Sequence, residues 1–226
     1  MTCLYSLVMF TEKYMNVTVH RTSYDGRLKE FLRTNGGPWG ASSVETAFTT
    51  WLNDVFGNDT INKWKNACYD EYCGLIQSIK AKIHSLRLSY DKTDEERFRV
   101  TSLIDYIRMS SHNKTTHVER MKLKENVEIV HDKLRVPTQV VRSWFDEPIN
   151  KGIRHIADVL AMSTMNDVDT ILLVGEFAAC PLVQETVQEA FRNKRIVTPS
   201  EPSCAVLWGA VLFGHQCSPM WKEYFK

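Results

Sequence analysis

Thr170-Ile171-Leu172-Leu173-Val174-Gly175-Glu176-Phe177-Ala178-Ala179-Cys180-Pro181 reads as a strand, a glycine turn and the start of a helix. The apolar run from Thr170 to Val174 has the look of a strand buried on both faces. In open α/β sheets, ligands settle at the carboxyl ends of such strands. Gly175 would let a ligand come close to the backbone, and the free amides of the following helix would favour an anion or polar group. Several such turns occur in any doubly wound protein. These residues alone therefore leave open whether the turn is a ligand site or a plain connection.

Working outward, the flanking segments extend the alternation of helix and strand. Pro181 opens a helix with Val183, Val187 and Ala190 on one side, and Arg195-Ile196-Val197 reads as the next strand. Pro202 opens a third helix through Phe213, with Gly214 as its C-terminal cap. Upstream, Asp146 precedes a helix with Pro148 near its first position and Ile149, Ile153, Ile156 and Leu160 as its buried stripe.

Nearer the start, Val17 to Arg21 alternates as a strand, Asp25-Gly26 signals a turn, and Leu28 to Arg33 reads as the returning strand. Gly36-Gly37-Pro38-Trp39-Gly40 breaks regular structure. Ser42 or Ser43 is expected to cap a helix that carries Glu45 in its first turn, buries Val44, Phe48, Trp51, Leu52, Val55 and Phe56, and ends at Gly57. Asn58 to Ser89 reads as further helix, Asp91 to Arg97 as a charged turn and Ser110 to His117 as a polar loop. Phe98 to Met109 fits strand or helix, and Val127 to Val130 a short strand. The order describes an α/β chain with a helical subdomain.

The chain has 226 residues, of which 43% are hydrophobic, including six tryptophans, eight tyrosines and ten phenylalanines. A folded core is expected, not a disordered chain. A net charge of +1 gives no electrostatic reason to expect nucleic acid or an anionic membrane as a partner. No stretch approaches the roughly 20 apolar residues of a membrane span, and Met1 to Phe10 lacks the basic start and cleavage site of a secretory signal. The six cysteines do not form a disulfide framework, and reduced thiols in a cytoplasmic protein are the expectation.

Val174-Gly175-Glu176-Phe177-Ala178-Ala179-Cys180-Pro181-Leu182-Val183-Gln184 resembles the adenosine motif of the heat shock 70 kDa protein family. Glu201-Pro202-Ser203-Cys204-Ala205-Val206-Leu207-Trp208-Gly209-Ala210-Val211 is similar to the closing helix of the same ATP-binding domain. Asn35-Gly36-Gly37-Pro38-Trp39-Gly40 resembles the glycine turn after the phosphate hairpin. Arg135-Val136-Pro137 followed by Phe145-Asp146-Glu147-Pro148-Ile149 resembles the divergent 12A/12B branch.

The resemblance implies the second lobe of an actin-like ATPase, of ribonuclease H-like fold, with a helical insert. Residues 1–48 would hold the first hairpin and a degenerate phosphate-loop region, 49–135 the insert, and 136–226 the closing α/β part. It further implies ATP or ADP binding through Gly175, Glu176, Phe177 and Ala178, with Lys80 and Lys82 on the insert flanking adenine. Gly36 and Gly37 would lie near the phosphates, and Mg2+ would belong to a complete domain.

Three departures qualify this. The family's second adenosine glycine is here Glu176. Its phosphate loop, an Asp followed by a glycine run and Thr, is here Met9-Phe10-Thr11-Glu12-Lys13-Tyr14-Met15-Asn16, which offers no glycine cradle. The lobe that would lie upstream is missing from the chain. ATP hydrolysis by this chain alone is therefore not expected, and the alternative is a non-catalytic protein-interaction module on an inherited fold.

Other chemistry finds little support. His112 and His117 read as surface-loop residues more readily than metal ligands, and His84 and His155 as packing histidines. Lys80 and Lys82 could equally be a solvated helix face. Trp39, Trp51, Trp64 and Trp144 read as core anchors, and Ala205 and Gly209 as permitting close helix–sheet packing.

Overall fold

Two sheets organise the described residues. The computed structural model describes residues 4–24, 28–91, 94–110 and 127–216. The Asp25-Gly26 turn, the loop beyond Ser110 and both His112 and His117 lie outside them.

The larger sheet has the order β3-β2-β1-β7-β8. Its strands are β1 (Leu4–Phe10), β2 (Met15–Thr22), β3 (Leu28–Asn35), β7 (Val168–Val174) and β8 (Arg195–Val197). The first three form antiparallel pairs, whereas β1, β7 and β8 run parallel. The run of apolar residues before Gly175 is thus an interior strand, with Leu173 fully buried.

β1 was not foreseen as a strand, yet it is the centre of the sheet. Leu4, Ser6, Val8 and Phe10 alternate inward along it, the period-two pattern of a strand whose second face is less covered.

The smaller sheet, β4-β6-β5, joins β4 (Glu95–Arg99), β5 (Glu128–Val130) and β6 (Lys133–Pro137) in antiparallel register. The supposed charged turn before Phe98 is therefore half strand: Glu95, Arg97 and Arg99 face out while Phe98 is buried. Alternating charge around one buried aromatic is an edge-strand pattern, and β4 is an edge.

Around these sheets lie α1 (Ser42–Phe56), α2 (Asn58–Ala67), α3 (Tyr69–Lys82), α4 (Leu103–Ser110), α5 (Thr138–Leu160), α6 (Pro181–Ala190) and α7 (Ala205–Gln216). Several boundaries differ from the expected ones. The helix beyond Asn58 breaks at Cys68, whose non-helical φ of −129° separates α2 from α3. α5 starts ten residues before Pro148, which lies inside it and is buried. Val141, Trp144, Phe145, Ile149, Gly152, Ile156 and Val159 continue one buried stripe through the proline. That burial offsets the hydrogen bond lost to the Trp144 carbonyl.

α1 is not capped by serine. Its N-cap is Ala41, and the Ser43 hydroxyl donates instead to the Pro38 carbonyl. α7 begins after a turn at 202–204 and carries Gly214 inside it. Among its large residues, Val206, Leu207, Trp208, Val211, Leu212 and Phe213 are 48 to 63% exposed. Gly209 meets nothing within 4 Å in its Cβ direction, so it does not serve close packing on the sheet. Ala190 is likewise exposed, and so is His84.

The core places Phe10 at its hub. Its ring lies edge-on to Phe177 at 6.1 Å, and a side chain at Gly152 would meet it at 2.8 Å. Trp64 and Trp144 are buried anchors as expected, but Trp39 and Trp51 are only half-buried.

Two expectations follow for stability. Gly175 has φ +102° and a Cβ there would overlap the Phe10 carbonyl oxygen at 2.2 Å, whereas Gly57, φ +87°, has open space. Gly57→Ala bears only backbone strain, about 1 kcal/mol, while Gly175→Ala adds overlap and should lose roughly 3 kcal/mol or more. Urea unfolding of both variants checks the ranking, and equal losses would contradict it.

Cys180 is fully buried, and burial pushes its thiol from 9.0 up to about 11. The native state holds this proton more tightly than the unfolded chain. Its stabilising contribution is therefore present below 9.0 and lost as pH climbs through about 11. At pH 8 a disulfide reagent should label half-exposed Cys68 and spare Cys180 until guanidinium is added. Native-state labelling of both at one rate would be the contrary result.

Candidate functional site

β1 and β7 are parallel neighbours, with Met9 opposite Val174. Both strands therefore end at the same edge, where a chain of this class would hold a ligand. Three turns meet there: Thr11–Tyr14 after β1, residues 36–41 after β3, and residues 175–179 after β7.

The turn after β1 is closed on itself. The Thr11 amide donates to the Tyr14 carbonyl at 2.9 Å, and the Thr11 hydroxyl both donates to that carbonyl at 2.8 Å and accepts from the Tyr14 amide at 3.0 Å. Its outward carbonyls are taken by the start of α1. Ser42 N–H donates to Glu12 at 2.7 Å, Ala41 N–H to Thr11 at 3.3 Å and Gly40 N–H to Lys13 at 3.3 Å. The helix-start amides that could receive a phosphate are spent on the protein's own backbone, which also explains why no serine caps α1. Gly40 is required for this approach, since a Cβ would lie 2.4 Å from the Glu12 carbonyl oxygen.

Gly36 and Gly37 share the packing task. A Cβ at Gly36 would strike the Met15 carbonyl oxygen at 2.3 Å, and one at Gly37 the Trp39 indole at 2.4 Å. The Gly37 carbonyl accepts from the Met15 amide at 3.0 Å.

At the turn after β7, the Cβ direction of Gly175 is filled by the Phe10 backbone. The Gly175 amide donates to the Pro202 carbonyl at 2.7 Å. That one bond joins the two segments, at Gly175 and at Glu201-Pro202, that carry the resemblance. Glu176 is exposed, while Phe177 and Ala178 are fully buried. Of these four residues, only Glu176 offers a side chain outward, and Phe177 and Ala178 can offer a ligand only backbone.

Lys80 and Lys82 lie on α3. Lys80 pairs with Glu45 of α1 at 2.8 Å and with Glu12 at 3.6 Å. The hydrogen bond to Glu45 holds its ammonium above the usual lysine range. Lys82 pairs with Glu96 of β4. Both bases are thus matched by carboxylates. The Ser78 hydroxyl donates to the Gly74 carbonyl along its own helix. The segment leaving α3 reaches α6 directly, since Leu182 N–H donates to the Leu86 carbonyl at 3.0 Å and Glu185 accepts from Leu88 N–H at 2.6 Å. The segment after α3 and the helix that follows the Gly175 turn are therefore tied together, although the clefts lined by Lys80 and by Trp39 do not include residues 175–178.

Composition did not reveal the self-closure of residues 11–14. Its signal is Thr11 followed three residues later by a turn-closing carbonyl, a common local pattern. Elsewhere, His155 Nε2 lies 3.1 Å from the Thr34 hydroxyl and its ring packs edge-on against Trp39, the packing role expected of it. Among the described residues, no group of three His, Cys, Asp or Glu is placed to hold a metal ion. No described helix is long and apolar enough to cross a membrane.

No protein-family model matches the chain. Heat shock 70 kDa protein 12A is 30% identical over 207 residues in both the mouse (Mus musculus) and human (Homo sapiens) forms. Human heat shock 70 kDa protein 12B is 29% identical over 212 residues. Each alignment covers 88% of this chain, which spans about 30% of the length of each relative. The chain is a relative in sequence of the 12A and 12B heat shock 70 kDa proteins, the branch that its segments at Arg135 and Phe145 resemble.

Proposed function

We propose that this chain is a divergent heat-shock-70-type nucleotide-binding domain portion that takes the adenosine end of ATP or ADP and does not hydrolyse it. The observation that carries the reading is the Gly175 turn. It sits at the carboxyl end of an interior parallel strand, has φ +102°, and is bonded to Pro202 of the second matching segment. The similarity to 12A and 12B supports the same reading. In the proposed layout, residues 1–48 and 136–226 build the second lobe of an actin-like domain and 49–135 its insert, in a cytoplasmic protein. The free thiols Cys68, Cys73, Cys180 and Cys204 support a reducing setting.

In this reading adenosine lies against the backbone of Gly175 to Ala178, and α3 with Lys80 and Lys82 forms the opposite wall. Phosphates gain little. The β1–β2 turn has no glycine, its carbonyls face the start of α1, and Lys80 is already paired with Glu45. Phosphoryl transfer depends on positioned cations and donors around the moving group. Gly36 and Gly37 would support that edge by packing, and Mg2+ would be held only in a complete domain.

A second reading, a protein-interaction module, is favoured by one observation: α7 exposes six large apolar side chains. Such a helix suits a partner that offers an apolar groove. A surface-charged α7 variant, Leu207→Lys with Val211→Lys, that abolishes a measured association without changing nucleotide affinity would support this reading.

Titration calorimetry with ADP tests the primary reading. Glu176→Gly should bind ADP about tenfold tighter than the parent, because the carboxylate occupies the approach to the turn and is costly to desolvate, at about 1.4 kcal/mol per decade. Equal or weaker binding by the glycine variant would contradict the role given to Glu176. Single-turnover assays should show no magnesium-dependent hydrolysis by the isolated chain, and hydrolysis abolished by a substitution within it would refute the non-catalytic assignment.

A further inference from the structure

A cleft of about 590 Å³ lies between the turn after β3, α1 and α5, apart from the Gly175 turn. Its walls include Pro38, Trp39, Trp51 and Pro148, with Asp54, Glu147 and Lys151 at its polar side. The volume falls in the range of ligand sites. Both indoles are braced from the protein side. Trp39 lies across Gly37 and edge-on to His155 at 5.8 Å. Trp51 stacks on Phe48 at 6.1 Å and lies 5.2 Å from Trp144. Rings held in this way lose little freedom when a ligand covers them.

The donor and acceptor balance selects the ligand's charge. Ser43 and Thr46, two hydroxyls of the lining, donate to the Pro38 and Ser42 carbonyls. Lys151, the one cation among the described lining residues, is tied to Glu147 within α5. Asp54 is exposed and contributes a second carboxylate. Among its described lining residues the cleft therefore carries two carboxylates, Asp54 and Glu147, against one ammonium, together with aromatic faces. An anion would meet repulsion from the exposed Asp54 carboxylate. A cation would meet a carboxylate and the negative faces of two indoles.

We infer that this cleft binds the basic side chain of a partner polypeptide, an arginine or lysine placed against Trp39 and Trp51 with its charge toward Asp54. An arginine fits better than a lysine. Its planar guanidinium stacks on an aromatic face while donating in its own plane to a carboxylate. Neighbouring Pro38 and Pro148 supply apolar surface for the rest of the segment.

The test uses the whole chain and an acetylated, amidated Gly-Arg-Gly peptide, followed by the indole N–H signals in heteronuclear NMR, assigned with Trp39→Phe and Trp51→Phe. The Trp39 and Trp51 signals should shift saturably. The citrulline analogue, equal in shape but neutral, should bind several-fold more weakly, and the glutamate analogue should not shift them. Asp54 is surface-exposed, so Asp54→Asn should fold normally and weaken the arginine peptide about threefold to tenfold, with the difference shrinking in high salt. Equal shifts with citrulline, unchanged affinity in Asp54→Asn, or silence of both indoles at millimolar peptide would each overturn the proposal.

Discussion

The backbone of Phe10 lies against Gly175 where a side chain would stand, and much else follows from that contact. It requires glycine at the end of β7 and brings the ends of β1 and β7 to one edge. It also positions the Phe10 ring among Gly152 and Phe177. The glycine that in the resembling family admits a ligand here admits the protein's own chain on its Cβ side. The two uses are compatible only if a ligand approaches the turn from its other side, which Glu176 overlooks.

A second closure accompanies the first. The Thr11–Tyr14 turn and the first amides of α1 satisfy one another, so a positive helix end is neutralised internally. Lys80, bridged to Glu12 and Glu45, ties α3 to the same place. In a phosphate-binding protein these groups would be held apart to receive an anion. Here they satisfy one another and stabilise the edge.

Much of this was legible. The strand at Thr170 to Val174, its glycine, the helix from Pro181 and the β2–β3 pair all follow from periodicity and punctuation, and the structure contains them. β1 is hard to read in sequence, because a mixed run such as Leu4-Tyr5-Ser6-Leu7 has no turn signal before it and its buried Ser6 blurs the alternation. Proline favours first turns, which places a helix start near Pro148, yet the stripe at Val141, Trp144 and Phe145 points upstream. The serine cap failed for a tertiary reason: carbonyls from residues 11–13, distant in sequence, occupy the helix start. Likewise, the pairing of Lys80 with Glu12 joins residues 68 positions apart and has no local signature.

We propose that the Gly175 turn is kept for adenosine while the edge at residues 11–14 is closed by the chain itself. Measuring the affinities of adenosine and of ADP for the same protein separates these halves most directly. Under this account the two dissociation constants agree within about threefold, since the amides that open α1 and the Lys80 ammonium are already engaged within the chain. ADP bound tighter than adenosine by about a hundredfold would show a working phosphate site and contradict it.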